Sequence, residues 1–119
     1  MRVDDTTQWV RVMDSSQNPS SRDDHISIAI NDQVVTAVGE IDADTAPELA
    51  SAIESIPGDV KVDLAGIEFM DSSGIRVLID AHQALAAHSH TLTLVRPAPA
   101  VMRVLELSNL DSYLVIDQA

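Results

Sequence analysis

Asp71, Ser72 and Ser73 stand between an apolar run that ends at Phe69-Met70 and a glycine, Gly74, after which a helix-like pattern begins. Two hydroxyls at the mouth of a helix lie where backbone N–H groups point outward and a negative group is welcome. A serine there serves as a helix N-cap, its oxygen accepting an N–H of the first turn. It serves equally as a place to write and erase a phosphate, which adds about −1.5 to −2 charge. The residue types alone leave both roles open. If Ser73 is the N-cap, Ser72 is the freer hydroxyl, so Ser72 leads as the modified residue and Ser73 is the second choice.

The neighbours have two readings each. Asp71 orients the Ser72 hydroxyl or holds the turn. Gly74, without a side chain, would give a partner's loop close access to the backbone. Ile75 and Arg76 follow on the same surface as partner contacts, with core packing the other reading for Ile75. Asp42 and Asp44 lie at a strand-to-helix corner that the expected sheet brings near the serines. They form a rim that meets a basic patch on a partner, or they cap the helix that begins at Thr45.

Other chemistries find no support. His82 and His88 are six apart, a poor spacing for one helix face, and with His90 they read as solvated helix-end residues rather than metal ligands. Met70-Asp71-Ser72-Ser73-Gly74 lacks the glycine that precedes the serine of a nucleophile elbow. There is no Walker-type phosphate loop. The expectation is a protein without catalysis, metal or cofactor.

Regular elements must hold the serine turn. Ile26, Ile28 and Ile30 alternate with Ser27 and Ala29, as in a half-buried strand. Asn31-Asp32 signals a turn, and Gln33 to Val38 completes a hairpin that Gly39-Glu40-Ile41-Asp42 closes. Thr45 and Glu48 have capping-box spacing, Pro47 suits a first helical turn, and Ala46, Leu49, Ala50 and Ile53 form one stripe. Pro57-Gly58 stops that helix. Val60 to Leu64 is a buried strand, and Gly66 to Met70 delivers the chain to the serines. A second helix runs from about Ser73 to His88, with Ile75, Leu78 and Ile79 on one face. Thr91 to Val95 is a strand, and Pro97-Ala98-Pro99 opens a third helix with the stripe Val101, Val104, Leu105 and Ser108. Asn109 stands where a left-handed residue ends a helix. Tyr113 to Ile116 is a last strand. The order β-β-α-β-α-β-α-β gives a mixed sheet, parallel where helices cross over.

Composition narrows the partners. The chain has 119 residues, 45% of them apolar, enough for a core in one domain of the usual size. Nineteen acids face seven Lys plus Arg, a net charge of −12, which disfavours nucleic acid and anionic membranes; the acidity either complements a basic protein surface or only keeps a small protein soluble. Trp9, Phe69 and Tyr113 are the only aromatics, too few for base stacking. No cysteine is present, which excludes disulfides and thiolate metal sites and fits a cytoplasmic setting. Residues 1–24 read as an N-terminal extension of linker character, in which Gln8 to Met13 has the makings of an extra strand. Residues 25–119 form the domain.

Three strings in order now resemble one family. Gly39-Glu40-Ile41-Asp42, Phe69-Met70-Asp71-Ser72-Ser73-Gly74-Ile75, and Pro99-Ala100-Val101 with Arg103, Ser108 and Leu110 resemble the STAS domain of bacterial anti-anti-sigma factors, also called anti-sigma factor antagonists. The resemblance spans about residues 25 to 117. It implies an α/β STAS fold: a four- to five-stranded mixed sheet with helices packed mainly on one face. It implies partner switching. An anti-sigma factor with serine kinase activity binds the unphosphorylated antagonist and releases its sigma factor, phosphorylation ends that binding, and a phosphatase resets the switch. The family's phosphoacceptor follows the aspartate, which is Ser72 here. The competing expectation within the family is a STAS scaffold or transporter-associated regulatory subunit without phosphate turnover. An acyl-transfer enzyme using Ser72 is a distant third.

Overall fold

The computed structural model of the chain describes residues 26–118. The 1–24 extension, with its Gln8–Met13 segment and Trp9, lies outside the described residues. Eight elements follow one another: β1 (Ile26–Asn31), β2 (Val34–Ile41), α1 (Ala46–Glu54), β3 (Val60–Met70), α2 (Ser72–Ala86), β4 (Leu92–Val95), α3 (Pro99–Leu107) and β5 (Val115–Asp117). The strands form one sheet in the order β1-β2-β3-β4-β5. The β1–β2 pair is antiparallel and every later pair is parallel. Each parallel step crosses over through a helix in the same direction along the sheet. Right-handed crossovers therefore lay α1, α2 and α3 on one face.

Alternation in the strands follows from this single covered face. Val35, Ala37 and Ile41 of β2, Val60, Val62, Leu64 and Ile67 of β3, and Leu92 and Leu94 of β4 are buried under the helices. Leu49 and Ile53 of α1, Leu78 of α2, and Val101 and Leu105 of α3 meet them. The core is aliphatic, as the scarcity of aromatics requires. Phe69 itself is 47% exposed.

Several boundaries differ from the expected ones for local reasons. Asn31 pairs with Val34, so the hairpin turn is Asp32-Gln33, one residue later than expected. Asp32 takes a left-handed φ of 58°, which a short polar side chain tolerates. Gln33 leaves the strand pattern and donates Nε2 to Pro57 O at 2.9 Å, tying the hairpin to the α1–β3 loop. Gly39 to Ile41 continue β2 instead of closing the hairpin, with register shifts on either side of Gly39, whose φ is 123°. β3 runs unbroken from Val60 to Met70. Gly66 is required where it passes Val38, because a Cβ there would lie 2.9 Å from Val38 Cγ2. In α1 the buried small residues are Ala46 and Ala52, and Ala50 is half-buried. Asn109 is left-handed at φ 59°, and the Leu110 N–H donates to Leu105 O while the Asn109 N–H donates to Glu106 O. Those two bonds are the Schellman closure of α3.

Candidate functional site

The site is assembled at the end of the sheet where β2 and β3 stop together. Ile41 and Met70 are the last register pair of these parallel strands. The next residue on one chain is Asp42 and on the other Asp71. The Asp71 N–H donates to Ile41 O at 3.1 Å, so the serine turn is fastened to the end of β2. Asp42 and Asp71, twenty-nine positions apart in sequence, are brought to the same strand end by one pairing.

Asp71 is the N-cap of α2. Its backbone is extended (φ −110°, ψ −166°) and its Oδ1 accepts from the Ser73 N–H at 2.8 Å. Of the readings the sequence left open, Asp71 holds the turn and Ser73 is not the cap: the carboxylate stands two residues before the N–H it binds. The Asp71 carbonyl accepts from Gly74 N at 3.0 Å and Ile75 N at 3.3 Å. Asp71→Ala should lower stability by about 1 kcal/mol, the usual cost of losing an N-cap. Asp71→Asn should keep most of it, since Asn caps as well; thermal unfolding of both variants checks this.

With Asp71 as cap, Ser72 is the first helical residue. It is exposed, and among the described residues nothing holds its hydroxyl. Ser73 is half-buried, with its N–H already engaged. Two hydroxyls that sequence alone ranked only by inference therefore differ in access.

Gly74 is buried and points inward, so it does not offer its backbone to a partner as expected. A Cβ there would lie 2.5 Å from Met70 Cγ and 2.8 Å from Ile41 Cγ2. The glycine lets the helix start close to the strand ends. Ile75 is half-buried against the core and takes the packing role of its two readings. Arg76 is exposed and pairs with Asp80 at 3.6 Å, with 76% and 65% of the two side chains open to solvent. An exposed pair of that kind contributes little stability.

The second acidic corner is an internal hydrogen-bonded turn. Asp42 Oδ1 accepts from the N–H groups of Asp44 (3.0 Å) and Thr45 (3.1 Å). Thr45, only 2% exposed, donates its hydroxyl to Glu40 O at 2.8 Å and accepts from the Asp42 N–H at 2.9 Å. The expected Thr45–Glu48 capping box does not form, because the threonine hydroxyl is turned back onto the strand end and makes no cap bond to α1. Asp42 thus takes the structural role, and the Asp44 side chain remains exposed at the rim. Replacing Thr45 with valine takes the hydroxyl away from the part-buried Glu40 carbonyl and Asp42 N–H. It should cost about 1–3 kcal/mol, read as a fall in the midpoint of chemical unfolding.

Around α2 the histidines divide. His88 is exposed and its Nδ1 lies 3.1 Å from Ala84 O, a helix-end position. His82 is half-buried instead of solvated, its ring edge-on to Tyr113 at 4.8 Å and 69°. Tyr113 is far along the chain, so no local pattern could signal the contact. Among the described residues no three His, Asp or Glu side chains gather to hold a cation, and no helix is long and apolar enough to cross a membrane.

Comparison with known proteins agrees with this architecture. Residues 25–116 match the family described as Mlab, STAS domain. An anti-sigma-B factor antagonist of Listeria monocytogenes is 30% identical over 97 residues, covering 78% of this chain and 79% of that protein. The crystal structure of an anti-sigma factor antagonist from Mycobacterium paratuberculosis is 29% identical with a TM-score of 0.66, over 79% of this chain and 85% of that one. The anti-sigma factor antagonist SpoIIAA in its unphosphorylated form shares the fold at 20% identity and a TM-score of 0.62, over 76% of this chain and 86% of that one. With a five-stranded mixed sheet covered by three helices, and with a family match over most of its length, the chain belongs to the STAS-domain family of anti-sigma factor antagonists.

Proposed function

We propose that this protein is a non-enzymatic, cytoplasmic partner switch. Its unphosphorylated form binds an anti-sigma factor with serine kinase activity and so releases a sigma factor. Phosphorylation of Ser72 ends the interaction, and a phosphatase restores it. The observation that carries this reading is the exposure of Ser72 alone. It is the first helical residue, its hydroxyl is exposed and unengaged among the described residues, whereas Ser73 is half-buried and the Asp71 carboxylate is committed to the cap.

The partner-facing surface comprises Ser72, Asp71, the exposed Asp44 and Arg76, and the edges of Ser73 and Ile75 that remain open. Asp42 and Gly74 act beneath it, holding its shape. Negative net charge suits a basic pocket on the kinase. Capture of a named anti-sigma kinase by wild type and Ser72→Ala, and its loss with Ser72→Asp, tests the reading. A transport ATPase retained by all three forms would favour a scaffold. A kinase reaction on purified protein that labels Ser72→Ala as fully as wild type would move the acceptor away from Ser72.

A further inference from the structure

Arg76 lies one turn beyond Ser72 on the exposed side of α2, and Asp80 one turn beyond Arg76. Positions i and i+4 are neighbours on a helix surface. Side chains on a helix tilt toward its N-terminus, so a long side chain covers the turn before its own Cα. Arg76 therefore naturally overlies Ser72. In the present state it reaches the other way, to Asp80 at 3.6 Å. That pair has the cation N-terminal to the acid, the weaker of the two orders for an i, i+4 ion pair. It is also largely open to solvent. The contact is thus easily given up.

The geometry points to Arg76 as an internal clamp for a phosphate on Ser72, rearranging on modification. This deepens the proposed phosphorylation of Ser72 and rests on it. A phosphoserine brings about −1.5 to −2 charge and three acceptor oxygens within the turn that Arg76 overlies. Anion then precedes cation, the favourable order, and a guanidinium engages phosphate oxygens two at a time. Arg76 leaves Asp80, and Asp80 is exposed as an unneutralised acid. One modification so alters three successive positions along the helix face, about two turns or roughly 12 Å of its length at 1.5 Å per residue. A partner seated on the Arg76–Asp80 pair loses its contact as well as meeting a new charge at Ser72. Asp71 is the acid immediately beside the phosphate and the Asp42 corner adjoins it. They oppose the second ionisation of the phosphate, while Arg76 favours it.

The test uses full-length protein with phosphoserine placed at 72 by genetic encoding, so no kinase is needed. Phosphorus NMR follows the second ionisation of the phosphate in the otherwise wild-type chain, in Arg76→Gln and in Asp80→Asn. A cation beside the dianion lowers its pKa. Arg76→Gln is expected to raise the pKa by roughly 0.3 unit or more, and Asp80→Asn to leave it unchanged or lower. The Arg76 side-chain Nε resonance is expected to shift on phosphorylation. Equal phosphate pKa values in wild type and Arg76→Gln, with an unmoved Nε resonance, would overturn the clamp. That result would leave the switch intact if Ser72→Asp still released the kinase. Conversely, a clamp seen by NMR in a protein that no cellular kinase modifies would separate the failure of the switch from that of the clamp.

Discussion

Ser72→Asp is expected to weaken binding of the anti-sigma kinase by roughly a hundredfold while leaving the fold in place. The two halves of this expectation have separate causes. On the antagonist, the new carboxylate occupies the first position of α2, where the helix dipole favours negative charge by about 0.3–1 kcal/mol. Asp71 already sits at that end, and its repulsion of the newcomer offsets much of the gain. The net change in stability should stay within about 1 kcal/mol, a shift of roughly 4–8 °C at most for a domain this size. On the partner, a pocket matched to an exposed neutral hydroxyl beside Asp71 must accept another charge of the same sign and strip its water. Like-charge juxtaposition costs several kcal/mol, and about 3 kcal/mol already corresponds to the hundredfold. Titration calorimetry with the purified partner and thermal unfolding of the variant measure the two halves. Weakened binding accompanied by a large fall in melting temperature would mean that the substitution acts by disturbing the turn.

Gly74 should tolerate no side chain, and substitution there should damage both stability and binding. An alanine in a helix ordinarily gains about 1 kcal/mol over glycine. Here its Cβ would lie 2.5 Å from Met70 Cγ, 2.8 Å from Ile41 Cγ2 and 3.0 Å from Met70 Sδ. Met70 has rotatable bonds with which to yield. Ile41 is fully buried and stiff at χ1. Overpacking of a core typically costs about 1–3 kcal/mol, so Gly74→Ala should lose up to about 2 kcal/mol net. Gly74→Val, with two further methyls on the same carbon, should lose more than about 3 kcal/mol. The start of α2 must also move away from the strand ends, carrying Ser72 out of position. Chemical denaturation gives the stability change. A Gly74→Ala protein as stable as wild type, with Ile41 unmoved, would show that the strand ends leave room for the methyl.

The alternation of strands and helices was legible because each element carries its own period. The Ile26–Ile30 alternation, the stripes of α1 and α3, and the left-handed Asn109 all signal within a few residues of chain. The serine turn was legible for the same reason: apolar run, acid, hydroxyls and glycine lie in one string. What sequence did not disclose was which member of that string does what. Asp71 rather than Ser73 caps the helix because the extended backbone at 71 aims the carboxylate at the Ser73 N–H. Gly74 faces the core because Ile41, thirty-three positions earlier, ends its strand beside it. Thr45 abandons its capping box because Glu40 O and the Asp42 N–H compete for its hydroxyl. His82 is packed because the chain returns with Tyr113. Each of these depends on a partner supplied by another segment or by a backbone turn, and local spacing carries no record of it.

The bond from the Asp71 N–H to Ile41 O has a consequence for the proposed phosphorylation of Ser72. It makes the target a discontinuous epitope: the acceptor hydroxyl belongs to one stretch of chain, the acidic corner beside it to another, and their juxtaposition exists only while two strand ends remain paired. An enzyme that reads both must dock on a finished surface and cannot thread the segment through its cleft as an extended peptide. Under such recognition a nascent or damaged chain, though it contains the same serine, is illegible. A phosphate at Ser72, as proposed, would then certify that the molecule bearing it is folded.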